Sequence, residues 1–249
     1  MKRLFKKLFL AKPEVDNKPV KGGIEKRIKN IRSIWHNEHQ DDIGIEKMLR
    51  LFLAISQFLF LGIYIKHVFG KKGIGYQELA VDFFVLFKVV FPFALVYFDA
   101  FDNNFVFALM IWFLLETMFY LATLVFASDI FSRPRSYRRT MLLMFLNYFQ
   151  IVFSYAAIYA HGNYLNIPFT HWYDSIYFSF VTSSTVGYGE FYHVTFYGKL
   201  LVSSQVMIFF IVVVMFLSFF PPRLNRRDIL IIQILRIKES LTSDQSIKF

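Results

Sequence analysis

The sequence predicts an all-α membrane protein. Hydrophobic residues make up 56% of its 249 residues and aromatics 20%, against 18% charged, a balance foreign to soluble domains. Apolar runs long enough to cross a hydrocarbon core recur along the chain, separated by short polar links. The net charge of +10 fits tails and links facing an anionic leaflet better than nucleic-acid binding.

Residues 1–47 form a basic N-terminal tail. Its first 21 residues show no period and hold Pro13 and Pro19, so this part is expected to be flexible. From Ile24 onward, Ile24, Ile28, Ile31 and Trp35 fall at helical spacing, with Lys26, Arg27, Lys29 and Arg32 on other faces. Such a basic amphipathic helix suits an anionic membrane surface or packing on its own protein. Residues 48–127 are a hydrophobic region of about three helices. Its first segment spans 48–65, and a Gly-rich loop covers 66–77. Gly73, Ile74, Gly75 and Tyr76 in that loop make a turn. The second segment, 81–98, carries Asp82, Lys88 and Pro92, and a polar turn occupies 99–104. The third segment, 105–126, carries Glu116.

Lys88 precedes the polar turn by nearly as many residues as Glu116 follows it, so at ~1.5 Å per residue the two reach similar depth in an antiparallel hairpin. An intramembrane charge is costly and finds a partner. The expectation is that Lys88 and Glu116 pair; the alternatives are that each snorkels or faces another chain, or that the two serve a voltage or proton sensor, which one isolated pair does not make. Residues 128–140 hold Arg133, Arg135, Arg138 and Arg139 and read as a basic cytoplasmic linker. No helix repeats arginine at every third position inside an apolar run.

The region 141–222 has its own order: an apolar helix at 141–160, a turret at 161–168, a short helix at 169–182, a glycine-bearing loop, and an apolar helix at 198–220. Pro168 and Thr170 mark the start of the short helix. The loop reads Thr182, Ser183, Ser184, Thr185, Val186, Gly187, Tyr188, Gly189. Carbonyls of an ordinary strand point alternately to opposite sides. Aiming them all at one axis needs residues that tolerate positive φ, and Gly187 and Gly189 alternate with Val186 and Tyr188 as this requires. The Thr185 hydroxyl can add an oxygen at the inner end. The short helix aims its partial negative C-terminus at the same axis.

Thr185 to Gly189 is the pentapeptide known as the potassium-channel filter, and over about a third of its length the chain resembles the pore domain of the tetrameric potassium channels. The resemblance implies a homotetramer in a cell membrane, conducting potassium passively. It implies K+ at Thr185, Val186, Gly187 and Tyr188, with Gly189 completing the filter. Filter support would come from Tyr177, Phe178, Thr182 and Glu190. Tyr177 and Phe178 stand where the family usually has two tryptophans, Glu190 replaces the usual aspartate, and Ser184 replaces a common threonine. Glu190 is expected to accept a hydrogen bond from Tyr177, and the Tyr188 ring to pack outward on pore-helix aromatics. Val181 stands where some members have glutamate. The inner helix has no glycine beyond Gly198, so a mid-helix hinge is not expected. An apolar gate would fall between Leu217 and Phe220, before Pro221 and Pro222 end the helix.

With the Glu190 end outside, the 128–140 linker is cytoplasmic and the 99–104 turn external. Counting 48–65 as a full span then places the basic tail outside, against the positive-inside rule. Either the tail is an exception, or one early segment is re-entrant or interfacial. A cytoplasmic N-terminus is the favoured expectation. The C-terminal tail, 223–249, carries Leu230, Ile234, Ile237 and Leu241 at heptad spacing, for a helical bundle or an amphipathic membrane helix.

The sequence has no cysteine, which excludes disulfides and thiolate metal sites. The apolar patch at 8–11 is too short for a cleavable signal. His36 and His39 near Asp41 and Asp42 are more simply a polar helix end than a metal site. No nucleotide fingerprint or catalytic elbow is present, so no enzyme, cofactor, nucleic-acid partner or small-molecule ligand is expected beyond the permeant ion. The alternatives are a non-selective cation channel and a regulatory or transporter subunit. Membrane lipids, chiefly anionic, are the other expected partners.

Overall fold

The computed structural model describes residues 23–37, 43–101, 103–126 and 137–219. Eight α-helices are formed among them: α1 (Gly23–Trp35), α2 (Ile45–Ser56), α3 (Leu61–Gly70), α4 (Ile74–Tyr97), α5 (Asn104–Phe126), α6 (Tyr137–His161), α7 (Trp172–Ser183) and α8 (Phe196–Phe219). Residues up to Phe216 make one compact unit. Those from Leu217 belong to a second, of which only the end of α8 is described. The expectations for the first 21 residues and for 223–249 lie outside the described residues, as do His39, Asp41 and Asp42.

Among the described residues four helices are long and apolar enough to cross a membrane, α4, α5, α6 and α8, and the bent pair of α2 and α3 is either a fifth, broken span or a re-entrant loop. The central one is α6, flanked by α4, α5 and α7. Its residues Val152, Ala156, Ala157 and Tyr159 are buried, the alanines allowing close approach. Pro92 sits buried inside α4 and removes the N–H that would bond the Lys88 carbonyl.

The front of the chain departs from the sequence reading. Residues 48–65 are not one straight helix. Helix α2 passes through a 3-10 turn at Gln57–Leu59, Phe60 adopts an extended conformation (φ −110°, ψ 148°), and α3 leaves at 69° to the first arm. The break is chemically compensated. The freed Gly62 N–H donates to Glu116 Oε1 at 2.9 Å, and Tyr64 OH donates to the Phe58 carbonyl at 2.8 Å. A broken helix at membrane depth survives only when its backbone groups find such partners.

The 66–77 loop is also corrected. Lys66 to Gly70 are the end of α3, and Gly73 (φ 121°) is the N-cap of a helix that starts at Ile74, seven residues ahead of the expected 81. Gln77 belongs to that helix and donates from Nε2 to the Lys66 carbonyl at 3.2 Å. The polar first turns of α4 obscured this start. The linker likewise ends sooner, because α6 begins at Tyr137. Arg139 there is not a loop arginine: its NH2 reaches Asp82 Oδ1 at 2.6 Å and the Glu78 carbonyl at 2.9 Å, tying α6 to α4. In α1 the helix stands as read, but its inward residues are Ser33 and Ile34, while Ile28 and Trp35 are exposed beside Lys29 and Arg32.

Candidate ion-conducting site

The short helix α7 begins at Trp172, with His171 in extended conformation as its N-cap. Asp174 Oδ2 accepts from the backbone N–H groups of Thr170 and His171, both at 2.9 Å, and from the Thr170 hydroxyl at 3.1 Å. Slight desolvation pushes the Asp174 carboxyl up, but the His171 and Thr170 donors outweigh it and hold it below its ordinary value. The carboxylate also suits the positive end of the helix. At the other end the chain leaves by turns: Thr185 N donates to the Thr182 carbonyl at 3.1 Å, and Val186 N to the Val181 carbonyl at 3.1 Å.

Beyond that turn the backbone alternates. Thr185, Gly187 and Gly189 have φ of 59°, 56° and 85°, while Val186 and Tyr188 between them do not enter the left-handed region. Positive φ at the glycines was legible; at Thr185 it was not, and a β-branched residue is uncommon there. A Cβ added at Gly187 or Gly189 would meet nothing within 4 Å, and residues 184–190 are all exposed.

The exit strand is clamped by the turret. Asn166 Nδ2 donates to the Glu190 carbonyl at 3.4 Å, its Oδ1 accepts from Tyr192 N at 2.9 Å, and its own N donates to the Tyr192 carbonyl at 3.0 Å. Val194 N donates to the Tyr164 carbonyl at 2.9 Å, and Leu165 bridges His193 in antiparallel fashion. Sequence reading missed Asn166, since a lone asparagine in a turret gives no signal.

Of the expected support residues, Phe178 is buried against Tyr159 (ring centroids 4.9 Å) and Phe191 (6.3 Å), and Thr182 is buried beneath the turn. Two expected contacts are not made within the single chain. Among the described residues, Tyr177 and Glu190 form no hydrogen bond, and the Tyr188 ring has no aromatic partner. Both follow from residues 184–190 forming an exposed margin of the single chain, with the Glu190 backbone drawn to Asn166. Leu217 is exposed and Phe220 lies outside the described residues, so no gate contact is described.

Behind this margin, buried polar groups join three helices. Ser179 Oγ donates to the Val152 carbonyl at 2.7 Å, Gln205 Nε2 donates to the Ser179 carbonyl and hydroxyl, and Tyr159 OH donates to Gln205 Oε1 at 2.8 Å. Tyr155 OH and Ser204 Oγ, 2.8 Å apart, add a second tie between α6 and α8. A separate network lies in the front half. Lys88 and Glu116, 5% and 6% exposed, approach to 4.0 Å between Nζ and Oε2. That is a charge contact; Lys88 Nζ makes its hydrogen bond to Thr117 Oγ1 at 2.7 Å, and Glu116 Oε2 has no hydrogen-bond partner. The Thr117 hydroxyl donates to Gln150 Oε1, and Gln150 Nε2 to the Phe113 carbonyl.

A family model described as an ion channel matches residues 140–223, about a third of the chain and the whole helix–loop–helix region just described. No curated protein and no solved structure matches. The match and the spanning helices support an ion channel in a membrane. Among the described residues no cluster of metal-binding side chains occurs, and permeant-ion coordination by backbone carbonyls would not register as one.

Proposed function

We propose that the chain is a potassium-selective channel of a cell membrane, conducting passively through a homotetramer whose filter is Thr185 to Gly189. The observation that carries this reading is the left-handed φ at every second residue, Thr185, Gly187 and Gly189. It undoes the usual carbonyl alternation of an extended strand, so that successive oxygens can face one axis and replace an ion's hydration shell. The short helix α7 ends where that row begins, directing its negative pole towards it. Exposure of residues 184–190, and of Met207, Phe210 and Val214 on α8, supports assembly of further copies around that axis. In such a ring, Tyr188 and Tyr177 would find partners on a neighbouring copy, and Glu190 would stand at the outer mouth.

The test is cation flux in proteoliposomes. Purified protein under a potassium gradient should give barium-sensitive potassium flux with little sodium flux; equal rates for the two ions overturn selectivity. Gly187→Ser should abolish flux while the tetramer persists on native gels, since a side chain at φ 56° is strained and narrows the ion path. Wild-type flux in that variant would remove the filter assignment.

A further inference from the structure

We propose that α2 and α3 form a re-entrant hairpin that enters and leaves the membrane on one side, held at the bilayer centre by Glu116 as its positioning residue. At ~1.5 Å per residue, α2 and α3 are ~18 and ~15 Å long, so neither arm alone crosses a ~30 Å hydrocarbon core, and the 69° turn between them makes the hairpin a wide one. On the same scale Glu116 lies ~18 Å from Asn104 and ~15 Å from Phe126, the two ends of α5. The break at Phe60 and Gly62 therefore meets α5 near mid-membrane.

The two arms run to the same face. Along α3, Gly62 lies against Phe84 and Gly70 against Gln77, so α3 descends antiparallel to α4 towards the start of that helix. Along α2, Phe52 packs on Phe119 (5.8 Å), whereas Phe60 packs between Phe119 (5.5 Å) and Trp112 (6.2 Å). Phe119 is the nearer of these to Phe126, so α2 rises from the Phe126 end of α5 to its middle. Lys47 Nζ donates to the Trp35 carbonyl at 3.0 Å, tying the end of α1 to the start of α2, while a Cβ at Gly23 would sit 3.2 Å from the Ile63 carbonyl, so the start of α1 leans on α3 just past the break.

Glu116 holds the turn by accepting the Gly62 N–H and standing at the positive end of α3, while Lys88 supplies the counter-charge. A Cβ at Gly62 would approach Glu116 Oε1 to 2.9 Å, so glycine lets the two meet. With α2 and α3 not crossing, four spans remain among the described residues, and the end of α1, with Arg32, lies on the side where α6 begins with Arg138 and Arg139, as the positive-inside rule requires. The same-side claim is independent of the filter reading; only naming that side cytoplasmic rests on it.

The natural absence of cysteine permits a direct test on the full chain in sealed vesicles of each orientation, using a membrane-impermeant maleimide. Single variants Lys29→Cys and Lys72→Cys should label from one face and Asn103→Cys from the other. Labelling of Lys29→Cys on the Asn103 side means a full span and overturns the hairpin. For the latch, Leu59→Cys near the tip should resist the reagent. Adding Lys88→Met and Glu116→Leu together should raise its labelling from the Lys29 side about tenfold, the scale set by losing a hydrogen bond to a charged group. Unchanged labelling overturns the role of Glu116. Neither readout requires conduction, so a failed flux assay and a failed topology assay are distinguishable.

Discussion

Gln205 on the inner helix donates from one amide nitrogen to both the carbonyl oxygen and the hydroxyl of Ser179 on the short helix, at 2.9 and 2.8 Å. The Ser179 hydroxyl donates in turn to the Val152 carbonyl on α6, and Tyr159 of α6 donates to Gln205 Oε1. Three helices thus meet at one buried amide. Lipid tails are as apolar as leucine, so packing and such hydrogen bonds hold membrane helices together.

Replacing that amide should therefore loosen the pore framework. Gln205→Leu keeps the bulk but leaves the Tyr159 hydroxyl and Ser179 oxygens with fewer partners, at a cost of about 1–3 kcal/mol. Thermal unfolding of the detergent-solubilised protein should show it. Ser179→Ala, which leaves the Tyr159–Gln205 bond in place, should cost less.

Asn166 gives a prediction that separates the filter exit from the framework. Asn166→Ala removes both side-chain bonds to the exit strand but not the backbone bond to the Tyr192 carbonyl. Potassium flux should fall or lose selectivity while expression and unfolding temperature stay near wild type. Asn166→Asp keeps the shorter bond from Tyr192 N and should lie closer to wild type. Equal flux defects in the two variants would mean that the clamp works differently.

The contrast between legible and hidden features has a physical basis. The left-handed φ at Gly187 and Gly189 was readable because glycine adopts it freely. The helices α5 and α6 were readable because their apolar runs are long. The break at Phe60 was invisible: residues 48–65 hold few polar groups (Arg50, Ser56 and Gln57), and what stabilises the bend is Glu116, far along the chain. Gln205, Asn166 and Gln150 carry no motif, since an amide's worth depends on which helix faces it.

Asp174 predicts a pH dependence. Its folded pKa is depressed, so its stabilisation is fully present above the unfolded value of about 3.9 and is lost as pH falls through the folded value. Asp174→Asn should therefore unfold at a lower temperature than wild type at pH 7. The gap should narrow near pH 3, below the unfolded value, as Asp174 begins to protonate. A gap of unchanged size at both pH values would place the effect of the substitution elsewhere.

The Lys88–Glu116 contact predicts a non-additive mutant cycle. Lys88→Met alone leaves a buried carboxylate whose Oε2 already lacks a hydrogen bond. Glu116→Leu alone leaves a buried ammonium with the Thr117 hydroxyl as its bonded partner. Either single change should cost about 3 kcal/mol or more, because an uncompensated charge stays in the membrane interior. The double variant removes both charges and should be more stable than at least one single variant, giving a coupling of about 1–3 kcal/mol. Thermal unfolding of the four proteins measures it. Additive losses would mean that the 4.0 Å approach contributes no pairing energy, and that the Gly62 and Thr117 hydrogen bonds hold the two side chains separately.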